Sequence, residues 1–222
     1  RAVGAPFTPT LTGTAFGVDF NPTVDRIRVV SDAEQNLRLN PDTGQVVSAD
    51  APINPAGNLA GSAYTNNFAG ATSTTLYALD STSNQLLIQN PPNAGTVTPI
   101  GPLGVDFDGI AGFDIAAGSG VAYAALFTGS LPSNLYTISL ATGAATLVGS
   151  IGASNGVRSM AVPTGPDTLF GVTTGNRLSC FSSHAPGNVL ALRQITGLQS
   201  GENVLAIDFR PATGELYGLG SS

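Results

Sequence analysis

The chain has 222 residues, 42% of them hydrophobic and only 10% charged, with 28 Gly and 15 Pro. That is enough apolar material for one substantial core, a single domain over residues 1–222. So few charges and so many turn formers exclude long amphipathic helices and favour many short strands. A formal charge of −6 and the complete absence of Lys leave no basic surface to neutralise a phosphate backbone, which argues against nucleic acid as a partner.

The elements recur as the chain is followed. GVDFNPTVDRIRVV begins at Gly17, AYTNNFAGATSTTLYALD at Ala63, GFDIAAGSGVAYAAL at Gly112, MAVPTGPDTLFGVT at Met160 and AIDFRPATGELYGLG at Ala206. Each reads as a strand, a polar turn and a second strand, and the starts lie 46 to 49 residues apart. That spacing is the length of a four-stranded propeller blade with its connections. The copies continue with a third strand, a turn and a fourth strand, as in NLRLN, PDTG and QVVSAD or NLYTISL, ATGA and ATLVGSIG. Thr-Gly recurs at Thr43-Gly44, Thr142-Gly143 and Thr213-Gly214, where a hairpin ending in a left-handed residue needs Gly. The expectation is an all-β, five-bladed β-propeller with four-stranded blades. An open solenoid is the competing architecture, but it would need capping copies at both ends and none is visible.

The stretches GVDFNPTVDRIRVVSDAEQNLRLNPDTG, AYTNN, TLYALDS, QNPPNAGT, GFDIA, YTISLATGAATLVG and AIDFRPATGELYGLG resemble the bacterial family known as domain of unknown function 4394. The resemblance runs over essentially the whole chain and implies a secreted, propeller-like domain. It brings no activity and no catalytic residue. A composition rich in Thr, Ser, Gly and Ala and devoid of Lys also resembles secreted bacterial surface proteins.

Asp19, Asp114 and Asp208 hold equivalent places in GVDF, GFDI and AIDF. On inner strands they would converge on the central channel, where carboxylates can hold a hard cation such as Ca²⁺. The competing and simpler reading makes each an acceptor for backbone N–H groups of the turn after its strand. The second and fourth copies lack the Asp and carry Thr65 and Pro163 nearby. Asp25, Arg26, Arg28 and Arg38 form a charged cluster. Arg can clamp the carboxylate of a sugar acid, but pairing of Arg26 and Arg28 with Asp25, Asp32 or Glu34 across strands is the plainer reading.

His184 is the single histidine and Cys180 the single cysteine. A lone His cannot supply a zinc site or an activated serine, and Cys180 is read as a small packed side chain. A glycosidase would need two suitably separated acids, and Trp, the usual sugar-stacking residue, is absent. The protein is therefore expected to be non-enzymatic and to need no cofactor, Ca²⁺ being the single candidate.

The fifth copy stops after its second strand at Leu219. Joined to the N-terminus, the circle is about 14 residues short of a full period, one strand and its turn. RAVGAPF resembles the fourth strand AATLVGSIG of the third copy. Two closures follow: Arg1, Ala2, Val3 and Gly4 pair directly with Leu216, Tyr217, Gly218 and Leu219, or a strand of another subunit fills the place. The second makes the protein a structural subunit of an extracellular filament or homo-oligomer. The alternative is a propeller module that binds a glycan or a cation, with no span of the membrane.

Overall fold

A computed structural model describes residues 2–153, 155–163 and 168–222. Arg1 lies outside the described residues. The first sheet is formed by β1 (Phe16–Asn21), β2 (Arg26–Ser31), β3 (Asn36–Leu39) and β4 (Val46–Ala49). The second contains β5 (Leu59–Tyr64), β6 (Leu76–Asp80), β7 (Gln85–Gln89) and β8 (Val97–Pro102). The third contains β9 (Ala111–Ile115), β10 (Ala122–Leu126), β11 (Asn134–Ile138) and β12 (Ala145–Ser150). The fourth contains β13 (Val157–Ala161), β14 (Thr168–Thr173), β15 (Arg177–Ser182) and β16 (Ala185–Gln194). The last sheet holds two strands, β17 (Val204–Phe209) and β18 (Leu216–Gly220).

Among the described residues the strands pair antiparallel with their neighbours in sequence, as hairpin connections dictate, and one isolated parallel bridge joins Asn54 and Thr96. The first strands of the sheets pack in a ring, β1 on β5, β5 on β9, β9 on β13, β13 on β17 and β17 on β1. This is an all-β propeller. Burial follows the radial position: β5 and β9 are buried throughout, whereas β4, β8 and β12 are largely half-buried or exposed.

The ring is tight because small residues face the joints. A Cβ on Gly17 would lie 2.6 Å from the Ser62 backbone nitrogen, and one on Gly112 would lie 2.5 Å from that of Met160. The Gly of GVDF and GFDI thus lets neighbouring inner strands approach backbone to backbone. Between the sheets, apolar side chains fill the wedges. Leu79, Leu86, Phe113, Ile115, Leu126 and Ile138 belong to the largest cluster, between the second and third sheets.

Four sheets have the expected four strands. The fifth copy forms two, and residues 2–7 form no strand, so the direct pairing of Ala2, Val3 and Gly4 with Leu216 to Leu219 is not formed.

Candidate functional site

The place where the third strand of the last sheet would lie is a cleft. Residues 3–4 do not reach β18 because they are held on the first sheet: a Cβ on Gly4 would lie 2.0 Å from the Thr43 carbonyl oxygen, and one on Gly44 2.3 Å from that of Val3. Gln45 Nε2 adds a hydrogen bond to the Ala5 carbonyl at 3.2 Å. The same contact recurs between the second and third sheets, where a Cβ on Gly101 of β8 would lie 2.3 Å from the Thr142 carbonyl. Val3 and Gly4 therefore stand on the Thr43-Gly44 turn as the fourth strand β8 stands on the Thr142-Gly143 turn. Between this segment and β18 opens a cavity of about 420 Å³, lined by Ala2 to Phe7 on one side and Glu215 to Gly220 on the other, with Val18, Phe20 and Leu39 among its other walls. The N–H and C=O groups on the outer edge of β18 have no strand partner among the described residues.

The three Asp residues do converge. Oxygens of Asp19, Asp114 and Asp208 all lie within 4.8 Å of one another, and all three residues are buried. Strand register explains the pattern: Asp19 faces Arg28, Asp114 faces Tyr123 and Asp208 faces Tyr217. The corresponding residues of the second and fourth sheets are Ala63 opposite Tyr77 and Ala161 opposite Phe170, rather than Thr65 or Pro163.

Each carboxylate accepts a backbone hydrogen bond from the next inner strand or its end. Asp208 Oδ2 accepts from Phe20 N at 2.8 Å, Asp19 Oδ2 from Tyr64 N at 2.5 Å and Asp114 Oδ2 from Val162 N at 2.5 Å. Asp114 and Asp208 accept a second from the residue that follows each of them, Ile115 and Phe209. The expected acceptor role is present, but its main partners belong to the neighbouring sheet instead of the turn. Ser159 does the same work in the fourth sheet, its Oγ accepting from Ile207 N at 3.0 Å.

Three buried acids so close cannot all be ionised without compensation. Burial pushes Asp19 and Asp114 well above the usual carboxylate range, and the charges of their acidic neighbours push them further. Burial likewise raises Asp208, and the hydrogen bonds it accepts limit the rise, to about 6. Bound protons or a hard cation among these oxygens would each offset that repulsion.

The charged cluster is wired differently from the sequence expectation. Arg28 and Arg38 converge on Asp50, each at 2.7 Å. Arg210 takes Asp25 through two hydrogen bonds, Nε lying 2.9 Å from Oδ1, and reaches Asp42 at 2.7 Å. Asp50 and Arg210 carried no signal in the sequence that singled them out, since neither pairing follows a fixed local spacing. Cys180 is half-buried on β15, and burial raises its thiol. His184 sits in the β15–β16 turn, with Nδ1 3.3 Å from Ser183 Oγ.

Among solved structures, one described as the Dos1 propeller is similar at 16% identity, with a TM-score of 0.52 over 96% of this chain. The chain spans 56% of the length of that structure, and the likeness concerns the fold. No curated protein matches the chain. The family described as a domain of unknown function, DUF4394, matches residues 1–161 and 177–222. With nearly the entire propeller inside that match, the chain belongs to the DUF4394 family.

Proposed function

We propose that the protein is a non-catalytic, secreted structural propeller whose two-stranded last sheet, β17 and β18, is extended at its open edge by a strand from an identical subunit. The observation that carries this reading is the cleft of about 420 Å³ between β18 and the segment seated at the fourth-strand position. An open edge with unpaired backbone groups is a template for strand addition, which satisfies those groups and buries alternate side chains.

The occupant is specified by the repeat. The other four sheets fill this position with NLRL, QLLIQ, NLYTI and RLSCFS, short segments with a Leu at the second place. The chemistry the cleft requires is that of the chain's own third strands, which favours a second copy. A contact between two different surfaces, repeated head to tail, does not close and builds a filament. The extracellular location is supported by the Lys-free, weakly charged composition.

Light scattering after size-exclusion chromatography, with hydrogen exchange at several protein concentrations, tests the reading. Oligomers should grow with concentration while the β18 amides gain protection. A peptide of residues 134–143, NLYTISLATG, should protect the same amides and dissolve the oligomers. A monomer at every concentration, with β18 amides unprotected by the peptide, overturns it.

A further inference from the structure

A second cavity, of about 240 Å³, lies between the first and second sheets, and its walls carry Arg26, Arg28 and Arg38. Three of the eight basic residues of a chain with net charge −6 thus face one small space. Arg28 and Arg38 are both paired with the Asp50 carboxylate, which stands behind them outside the lining residues. With Arg210 and its partners Asp25 and Asp42 counted beside them, four guanidiniums stand against three carboxylates, an excess of one positive charge.

The donors are not all spent. Arg28 is buried and fixed by Asn36 Oδ1 at 2.7 Å, Asp50 at 2.7 Å and Asn93 Oδ1 at 2.7 Å. Arg38 uses Nε and Nη2 on Asp50, which leaves Nη1. Arg26 donates from Nη1 to the Asp25 carbonyl at 2.7 Å, and its Nε and Nη2 have no hydrogen-bond partner among the described residues. The nearby Asp25 carboxylate is hydrogen-bonded to Arg210 and not to Arg26. Arg26 therefore presents an edge with two parallel N–H groups, the geometry that grips a carboxylate through two hydrogen bonds.

The rest of the wall is suited to a hydroxylated molecule. The Tyr64 hydroxyl and the Asn93 amide supply neutral hydrogen-bonding groups, and Pro91 and Pro92 give an apolar surface beside them. A single sugar ring with one carboxylate fits the charge and the scale of the cavity. We propose that this pocket binds a sugar acid, free or as the end residue of an acidic polysaccharide, with its carboxylate on Arg26 and Arg38 Nη1. The site is separate from the open edge of β18, so it stands or falls independently of strand completion.

Isothermal titration with D-glucuronate, with D-glucose and sodium sulfate as comparison probes, tests this. Glucuronate should bind and glucose should not, since the charge-assisted bonds would be missing. Arg26→Gln should weaken glucuronate about tenfold or more. Asn93→Asp keeps an acceptor for Arg28 while placing a negative charge in the pocket, so it should abolish glucuronate binding without lowering the melting temperature. Absence of glucuronate binding overturns the proposal, as does an unchanged affinity in Arg26→Gln. Sulfate binding as tightly as glucuronate overturns the sugar-acid class. A glucuronate-tipped oligosaccharide that binds more tightly than the free acid assigns the polysaccharide end as the source, and equal affinity assigns the free acid.

Discussion

Asp208 Oδ2 accepts a hydrogen bond from the backbone N–H of Phe20 at 2.8 Å, joining residues 188 positions apart. This bond ties the last sheet to the first through their inner strands, while the outer part of the last sheet stays open. Two residues on, Arg210 ties the same sheets together again through Asp25 and Asp42. Among the described residues, ring closure is thus achieved in cis at the centre, with no strand shared at the rim. Asp208→Ala should cost about 2 kcal/mol or more, because the Phe20 and Phe209 N–H groups lose their acceptor in a buried site. Asp208→Asn keeps an acceptor and should cost less, and urea denaturation of the two variants checks the difference.

The carboxylate cluster and Asp50 pull stability in opposite directions with pH. Burial raises Asp208 to about 6 from an ordinary value of 3.8, so the folded state binds that proton more tightly than the unfolded one. Its contribution is complete below about pH 4 and is lost as pH rises to about 6. Asp19 and Asp114, also raised by burial, act in the same direction. For Asp50, burial works to raise the carboxyl, but hydrogen bonds from Arg38, Arg28 and Ser48 outweigh it and hold the group low. That contribution is present above about pH 4 and is lost below it. Thermal melts should therefore show a maximum near pH 4, and Asp208→Asn should flatten the decline on its alkaline side. A melting temperature that climbs steadily from pH 4 to 7 contradicts this assignment, and a climb seen only with added Ca²⁺ assigns the cluster to a cation.

Asp50 is the counter-charge for a guanidinium that is only 2% exposed. Asp50→Ala leaves Arg28 buried and uncompensated, at an expected cost of about 3–5 kcal/mol. Arg38, at 29% side-chain exposure, can turn to water when its partner is removed or changed. Arg38→Ala should accordingly cost less than about 1 kcal/mol. Chemical denaturation of the two variants separates a buried pair from a solvated one, and equal costs would refute the distinction.

The repeat made much of this fold readable in advance. The inner strands that the sequence places from Gly17, Gly112 and Ala206 are formed and begin one or two residues earlier, at Phe16, Ala111 and Val204, because these inner strands need a small residue at the joint. Convergence of the three Asp residues followed from the same equivalence. Their partners did not, since a carboxylate that serves the next sheet looks identical in sequence to one that serves its own turn. Arg210–Asp25 and Arg28–Asp50 were hidden for a related reason: they depend on how sheets and bulged strands stack, including the register shift between Arg38 and Leu39. Residues 2–7 carry a fourth-strand pattern, yet their seat on Thr43-Gly44 became visible only as a close backbone approach.

That approach can be tested with three glycines that share a Thr-Gly context and a positive φ, Gly44 at 70°, Gly143 at 83° and Gly214 at 72°. A Cβ on Gly214 would meet nothing within 4 Å, so Gly214→Ala should cost only the backbone penalty, about 1 kcal/mol. A Cβ on Gly143 would lie 2.3 Å from the Gly101 carbonyl oxygen, and both backbones sit in packed sheets. Gly143→Ala should cost clearly more, about 2–3 kcal/mol. Gly44→Ala would press on the Val3 carbonyl at 2.3 Å, but residues 2–5 are mostly exposed and can lift away. Its signature should be release of that segment, read as faster proteolysis before Phe7 and faster amide exchange there, with a smaller loss of global stability than Gly143→Ala. If Gly44→Ala leaves the segment as protected as in the wild type, residues 3–4 are not seated on the Thr43-Gly44 turn in solution, and the cleft beside β18 loses one of its walls.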